Sequence, residues 1–170
     1  GKSQSKLFNK LHEDSTQMIA RADSSVIGIS MLGVDARYQF NALELRGQFY
    51  VNSFSNTLEY NKFTSVNGKN NDLGKSMIGY YVEAGYNIFR HIKETTQQLV
   101  PFVRYEYYNT HNSVDAETTQ NKAYDNQSIT TGITYKLNKN AVIKADLQFA
   151  KSASATDYKK VFNTGIGVMF

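Results

Sequence analysis

The last ten residues of the chain alternate strictly between two kinds of side chain and end on an aromatic ring. One face of this predicted strand is mostly apolar and carries Phe162, Thr164, Ile166, Val168 and Phe170. A soluble protein seldom ends a strand this way, because termini fray and exposed aromatic rings promote association. Bacterial outer-membrane β-barrels do end on such a strand, which closes the barrel against lipid. The pattern therefore predicts a membrane barrel, and the alternative is the edge strand of a soluble sandwich.

The composition agrees with many strands and excludes several other classes of protein. The chain has 12 Tyr and 10 Phe but one Pro and no Cys, so it offers neither a disulfide framework nor a thiolate metal site. No apolar stretch approaches the ~20 residues of a membrane-spanning helix. The mean hydropathy of -0.48 suits a barrel, in which only alternate strand residues face lipid. The net charge of +4 comes without a basic stripe or recognition motif, so we expect no nucleic-acid partner.

Seven alternating stretches follow a lead-in of residues 1–25, which we predict to be loop or partly helical. The predicted strands cover residues 29–40, 43–51, 76–87, 99–108, 128–136, 141–150 and 161–170. A two-residue turn at 41–42 would pair Phe40 with Leu43, so that apolar residues face apolar residues. A three-residue turn at 137–139 would do the same by pairing Tyr135 with Ala141. Such a turn requires a left-handed residue, either Asn138 or Lys139.

The predicted connections alternate in length. Short or moderate ones cover 41–42, 88–98 and 137–139, and long polar ones cover 52–75, 109–127 and 151–158. Transmembrane barrels have short periplasmic turns and longer outer loops. This sorting favours an all-β, antiparallel up-and-down transmembrane barrel over a soluble ligand-binding barrel. Within the first long connection, residues 55–63 suit a short helix with Ser55 or Asn56 as its cap.

The faces opposite the apolar ones carry charges of both signs. The predicted wall residues are Asp35, Arg37, Glu44, Arg46, Glu83, Arg104, Glu106, Lys144 and Asp146, with Lys136 in addition. Unpaired charges are very costly in a dry core, whereas a hydrated lumen accommodates them. We therefore predict that these side chains line a pore, and the alternative is that their ion pairs seal a narrow barrel. Their formal charges sum to zero, which by itself favours neither anions nor cations.

Two pairs of strands carry a family resemblance. The sequence of residues 33–40 continues into 43–49, and a second pair covers residues 79–87 and 101–106. These stretches resemble the C-terminal strands of the phosphate-selective porin O and P family, in the form common in Bacteroidetes, and the resemblance extends over residues 26–170. It implies a sixteen-stranded, usually trimeric barrel in the outer membrane, of which this chain would be the C-terminal part. It also implies passive diffusion of small hydrophilic solutes, with anions such as phosphate among them.

No other motif in the sequence points to chemistry. His12, His91 and His111 are far apart and each lies in a predicted loop, without the spacing of metal ligands. The sequence Gly165-Ile166-Gly167 lacks the strand-to-helix context of a nucleotide site. We therefore expect no cofactor, metal or catalysis, and outer-membrane lipid as the surrounding partner. A second hypothesis is a small barrel that acts as an anchor or adhesin through its long outer loops; it would need an eighth strand within residues 1–25.

Overall fold

The chain folds into one antiparallel sheet in which every strand pairs with its neighbour in sequence. The computed structural model describes residues 2–3, 21, 23–92 and 94–169. The strands are β1 (Lys2–Ser3), β2 (Ile27–Phe40), β3 (Leu43–Ser55), β4 (Ser76–Tyr86), β5 (Gln98–Ser113), β6 (Asp125–Lys136), β7 (Ala141–Ser152) and β8 (Lys159–Val168). The seven long strands confirm the predicted all-β, up-and-down order. In the described residues β1 and β8 are the two edges of the sheet, which is therefore open.

The register of the first long hairpin is the predicted one. Phe40 pairs with Leu43, and the pairing continues to Val34 opposite Phe49 and beyond. Asn41 takes the left-handed conformation that the tight turn requires, with φ of 54°. Asparagine adopts this conformation more readily than most other residues, because its short side chain can form local hydrogen bonds.

The turn between β6 and β7 differs from the prediction. Tyr135 pairs with Ile143 instead of Ala141, so the register is displaced by two residues and the turn covers four residues, 137–140. Neither Asn138 nor Lys139 has a positive φ. The Asn138 side chain instead accepts a hydrogen bond from the Asn140 N–H at 2.8 Å. This local turn closes the hairpin without a left-handed residue, and a shift by two keeps every side chain on its predicted face.

The two ends of the sheet carry connections of different length. The long-loop end carries residues 56–75, 114–124 and 153–158, and the short-turn end carries 41–42, 87–97 and 137–140. The connection 56–75 contains the predicted helix, α1 (Thr57–Phe63). Single 3₁₀ turns lie at Ile88–His91 and Lys122–Tyr124. The predicted sorting is present only in part, because 87–97 is as long as 114–124 and longer than 153–158.

Asn56 precedes α1 but does not cap it with its side chain. Its φ is 63°, and its amide donates to the Ser24 and Val26 carbonyl oxygens. Asn56 thereby fastens the start of α1 to the segment that leads into β2.

The predicted lead-in, residues 1–25, is described only in part. Lys2–Ser3 form the strand β1, which pairs with Ile27 and Gly28, and Arg21 and Asp23–Ser24 are helical. Residues 4–20 and 22 lie outside the described residues. No helix in the described part of the chain is both long and apolar enough to span a bilayer.

Candidate functional site

The two faces of the sheet are inverted relative to those of a soluble protein. Strand pairing places the predicted wall charges on one face, which we call the charged face, and the apolar strand residues on the other, the apolar face. On the charged face the Glu83 and Glu44 side chains are only 12% and 15% exposed. On the apolar face Val103 is 50% exposed and Ile166 is 77% exposed. The sheet thus shields these two carboxylates and presents aliphatic side chains to its surroundings.

A connected series of ion pairs crosses the charged face. Arg104 donates two hydrogen bonds to one oxygen of Glu83, at 2.9 and 2.7 Å. Arg46 lies 3.7 Å from Glu83 and 3.3 Å from Glu44, and Lys136 Nζ reaches the other oxygen of Glu44 at 2.9 Å. Two carboxylates therefore hold three cations, and charge-assisted bonds of this kind are stronger than neutral ones.

The pair Lys136–Glu44 shows that the sheet curls around its charged face. Glu44 lies on β3 and Lys136 on β6, with β4 and β5 between them. In a flat sheet three strand spacings of ~4.8 Å would separate the two backbones by ~14 Å. The residue of β6 in line with Glu44 is Gly132, so Lys136 is also four residues farther along its strand. Extended Lys and Glu side chains cannot bridge that diagonal, so the charged face is concave.

Small residues on the charged face permit this curvature. A Cβ on Gly132 would lie 2.4 Å from the Ala145 carbonyl oxygen and 2.5 Å from the Asp146 Cβ. The contact with backbone cannot be relieved by rotating a side chain. Glycine at this position therefore lets β6 and β7 approach on the concave side.

Two cavities follow the charged face toward the short-turn end. The deeper one, about 170 Å³, is lined by residues of five strands, including Glu83, Phe102, Arg104 and Lys144. The Lys144 ammonium lies 4.5 Å from the Phe102 ring centroid. The second cavity, about 520 Å³, is lined by the basic residues Arg37, Arg46, Lys136 and Lys139 and by one carboxylate, Glu44, among others. The two cavities share Glu44, Arg46 and Lys136 and so meet at the ion-pair series.

The remaining predicted wall residues lie on the same face but outside the central series. Arg37 pairs in register with Arg46, as predicted, and lies 3.7 Å from Asp35 near the edge of the sheet. Lys144 lies 3.4 Å from Asp146 on β7. Glu106 faces the same side from β5, opposite Tyr81 and Ser128. The structure therefore brings all nine residues to one surface and joins Glu44, Arg46, Glu83 and Arg104 directly.

Lys136 and Phe102 matter more to this surface than their positions in the sequence indicate. Lys136 is the last residue of β6, and only the curl of the sheet brings it to Glu44. Phe102 is 7% exposed beneath Lys144 on the charged face. In the sequence, the only signal of this role is that Phe102 is apolar at a position where alternation places a polar face.

Aromatic side chains flank the apolar face at both ends. Toward the long-loop end, the Tyr80 ring lies 5.4 Å from Tyr107 and 6.2 Å from Tyr105. Toward the short-turn end lie Tyr38, Phe40, Tyr86 and Tyr135. The rows between them carry mainly aliphatic residues, among them Leu45, Ala84, Val103 and Leu147. Tyr80 and Tyr86 are six positions apart along β4, a distance of about 20 Å.

The C-terminal strand extends the apolar face to the edge of the sheet. Phe162, Ile166 and Val168 are 69%, 77% and 58% exposed. They pair in register with Leu147, Ile143 and Ala141 of β7, so they continue its apolar rows. The predicted closing residue Phe170 lies outside the described residues.

A compact polar network ties the long loops together. Asn61 of α1 is 1% exposed, and its amide donates to the Leu73 carbonyl at 3.1 Å and to Asp115 at 3.0 Å. His111, predicted to lie in a loop, is instead a buried residue near the end of β5. Its Nε2 lies 2.6 Å from the Asp72 carbonyl oxygen, and its Nδ1 accepts from the Asn121 N–H at 3.2 Å. These hydrogen bonds fix the connection 56–75 to the connection 114–124 at the long-loop end of the sheet.

Two ionisable groups of this network have shifted pKa values. Burial of Asp115 opposes its ionisation, but hydrogen bonds from Thr118, the Glu117 N–H and Asn61 outweigh it and lower the pKa of Asp115. The hydrogen bond to Glu117, 2.7 Å long, raises the pKa of Lys62. Both shifts favour the charged forms that hold the two loops together.

The other histidine in the described residues belongs to the short-turn end. His91 Nε2 lies 3.2 Å from the Tyr86 hydroxyl oxygen. Across the described residues, no group of three or more His, Asp or Glu side chains is placed to hold a metal ion. His12 lies outside them.

Comparison with known proteins gives a partial match. The chain is 38% identical over 90 residues to an uncharacterized protein of Aquifex aeolicus (strain VF5), a match that covers 53% of this chain and 20% of the relative. The chain thus spans about a fifth of that relative's length. No family model and no solved structure matches.

Proposed function

We propose that the chain forms part of the wall of an outer-membrane β-barrel through which small hydrophilic solutes diffuse. The observation that carries the proposal is the inversion of the sheet, with a concave charged face and an exposed apolar face. In water the exposed Val, Ile, Leu and Phe side chains would be an extensive association-prone patch. Against lipid tails the same side chains are solvated, and the charges line an aqueous lumen.

The dimensions of the sheet support a membrane-spanning role. A transmembrane strand needs ~9–11 residues, and the seven long strands contain between ten, in β8, and sixteen, in β5. An apolar band about 25 Å tall with aromatic belts at both borders is typical of such barrels. The tyrosines near the two ends of the apolar face have this arrangement. In this orientation the short-turn end faces the periplasm and the long-loop end faces outward.

The open edges of the sheet require further strands in this proposal. In a bilayer every backbone polar group must be paired, so β8 and the opposite edge have to be completed. We propose that this chain is the C-terminal part of a larger porin of the phosphate-selective O and P kind, with sixteen strands and a trimeric assembly. The length of the Aquifex relative, of which the match covers 20%, agrees with a longer protein.

The charges near the short-turn end favour anions such as phosphate among the solutes. The 520 Å³ cavity is lined by four basic side chains and one carboxylate. Glu44 is already paired with Lys136 and Arg46. Arg37 has only a 3.7 Å contact with Asp35 and its side chain is 74% exposed, so it and Lys139 are the cations most accessible to an anion. In this proposal the wall binds and orients a solute without a chemical step.

Planar bilayer recording of the whole protein, purified from outer membranes in detergent, tests this proposal. Stepwise conductance is expected, with a reversal potential that moves toward cation preference in Arg37→Glu/Lys139→Glu. The control Lys69→Glu/Lys122→Glu makes the same charge change in the long loops and should leave the reversal potential nearly unchanged. Correctly folded protein that inserts but never conducts would refute channel function.

One observation favours a second candidate, a small plugged barrel that acts as an anchor or adhesin. The Lys136–Glu44 pair crosses the concave face, and with Arg46, Glu83 and Arg104 it could close a narrow lumen. Lys136→Ala separates the two candidates. A channel wall predicts altered conductance in a protein that already conducts, whereas a plug predicts conductance only after the substitution.

A further inference from the structure

On the seven long strands, charged residues of the apolar face occur only at one end and on three adjacent strands. Among the residues of β2 to β8 on that face, the charged ones are Asp125 on β6, Lys151 on β7 and Lys160 on β8. All three lie at the long-loop end, and the short-turn end of the same face has none. A random scatter of surface charge would not be confined in this way.

The two lysines are neighbours on adjacent strands, and one of them lies beside an aromatic ring. Lys160 pairs with Phe149 across β7 and β8, so Lys151 is its diagonal neighbour, at ~7–8 Å. The Lys151 ammonium donates to the Thr156 carbonyl oxygen at 2.9 Å and lies 5.5 Å from the Tyr158 ring centroid. These two contacts hold the Lys151 side chain in place.

Neighbouring polar groups fix Tyr158. The Tyr158 hydroxyl accepts a hydrogen bond from Gln127 at 3.5 Å, and Gln127 in turn accepts one from Tyr105 at 3.4 Å. Two carboxylates belong to this region: Asp125, the diagonal neighbour of Tyr107 across β5 and β6, and Asp157, which precedes Tyr158 in the chain. In the described residues neither Lys151 nor Lys160 lies within salt-bridge distance of a carboxylate, so both cations are available to a ligand.

The position of this cluster selects the ligand. In the proposed orientation it borders the apolar band at headgroup depth, where lysine on a lipid-facing strand is tolerated. Two ammonium groups and a phenol hydroxyl offer several hydrogen-bond donors at once to the oxygens of a phosphate group. Juxtamembrane lysines attract anionic lipids for the same reason.

We propose that Lys151, Lys160 and Tyr158 form a binding site for the phosphate of an anionic lipid headgroup at the outer border of the apolar face. The inference rests on the proposed membrane orientation. The site would hold one lipid against β7 and β8 and so fix the depth of these strands in the bilayer.

Native mass spectrometry of the whole detergent-solubilised protein tests the site. Phosphatidylglycerol and phosphatidylcholine are the probes, and Lys151→Gln/Lys160→Gln is compared with Lys69→Gln/Lys122→Gln, which changes charge equally in the loops. We expect phosphatidylglycerol to bind in preference to phosphatidylcholine, with affinity about 25-fold lower in the first variant and unchanged in the second. Excess inorganic phosphate should not displace the lipid, since the acyl chains contribute to binding.

Equal binding of the two lipids, or displacement by free phosphate, would overturn the lipid site. Equal affinity for phosphatidylglycerol in the Lys151→Gln/Lys160→Gln variant and the control would also overturn it. Channel recordings separate this failure from that of the proposed function. A protein that inserts and conducts but binds both lipids equally would refute the lipid site alone.

Discussion

Replacing a single valine with lysine distinguishes a lipid-facing sheet from a water-facing one. Val103 lies near the middle of β5 in a row that includes Leu45, Ala84 and Leu147, and it is 50% exposed. No packed core has to be disrupted to place a lysine there. In a water-exposed sheet, a substitution at such a site changes the free energy of unfolding by about 0.5 kcal/mol or less.

In a bilayer the same substitution has a large cost. Lysine at the midplane of a barrel's lipid face lowers stability by roughly 2–4 kcal/mol. That range corresponds to an about 30- to 700-fold change in the folding equilibrium constant. Glu106→Lys is the matched control, because it introduces the same side chain on the charged face of the same strand, three residues away. It should fold nearly as well and change ion preference instead.

The assay is urea unfolding of the whole protein from lipid vesicles, followed by circular dichroism and by electrophoretic mobility. If the apolar face contacts lipid, Val103→Lys should lower the free energy of unfolding by roughly 2–4 kcal/mol and Glu106→Lys should lower it much less. A similar loss in both variants, or a negligible loss in Val103→Lys, would mean that the faces are wrongly assigned.

Three further predictions test separate parts of the structure. Glu83→Gln leaves Arg104 and Arg46 without their shared carboxylate, so it should lower the free energy of unfolding in urea by roughly 1–3 kcal/mol and move the reversal potential toward anion preference. No change in the unfolding free energy or the reversal potential would show that the ion pairs do not form. Gly132→Val should reduce the yield of folded protein on electrophoresis because its Cβ would lie 2.4 Å from a backbone oxygen, whereas the Cβ of Gly165→Ala meets open space and that variant should fold normally. Equal yields of the two variants would contradict the close approach of β6 and β7. The lowered pKa of Asp115 means that the stabilisation from its ionised form is present above the ordinary carboxyl pKa and is lost as the pH falls through the lower folded value. Hydrogen exchange of residues 56–75 should therefore accelerate over that pH range in the native protein, and this pH dependence should disappear in Asp115→Asn.

The strands and their faces could be predicted because alternation is a local property. The period of two placed Val103 and Ile166 on one face and Glu83 and Arg104 on the other without any knowledge of the neighbours. The first hairpin register followed because Asn41 suits a two-residue turn, and the pairing that this turn closes matches apolar residues with apolar residues. A displacement by two residues preserves that match, which is why the 137–140 turn was wrongly predicted.

The curvature and the loop network could not be predicted from local pattern. Lys136 meets Glu44 across 92 positions of sequence, a contact that depends on how strongly the sheet curls. The end of β5 has no alternation of apolar and polar residues, so His111 was assigned to a loop, although it is a buried residue near the end of the strand. Asn61 likewise is a polar residue of a short helix whose burial follows from contacts with Leu73 and Asp115.

The central claim is that the apolar face contacts lipid while the charged face contacts water. Because these 170 residues contain no cysteine, single cysteines can be placed at Leu147 and Gln148 for nitroxide labelling in bilayers. The account predicts that the label at 147 is relaxed mainly by oxygen, which dissolves in lipid, and that at 148 mainly by a water-soluble nickel complex. Relaxation of both labels by the nickel complex to the same extent would contradict it.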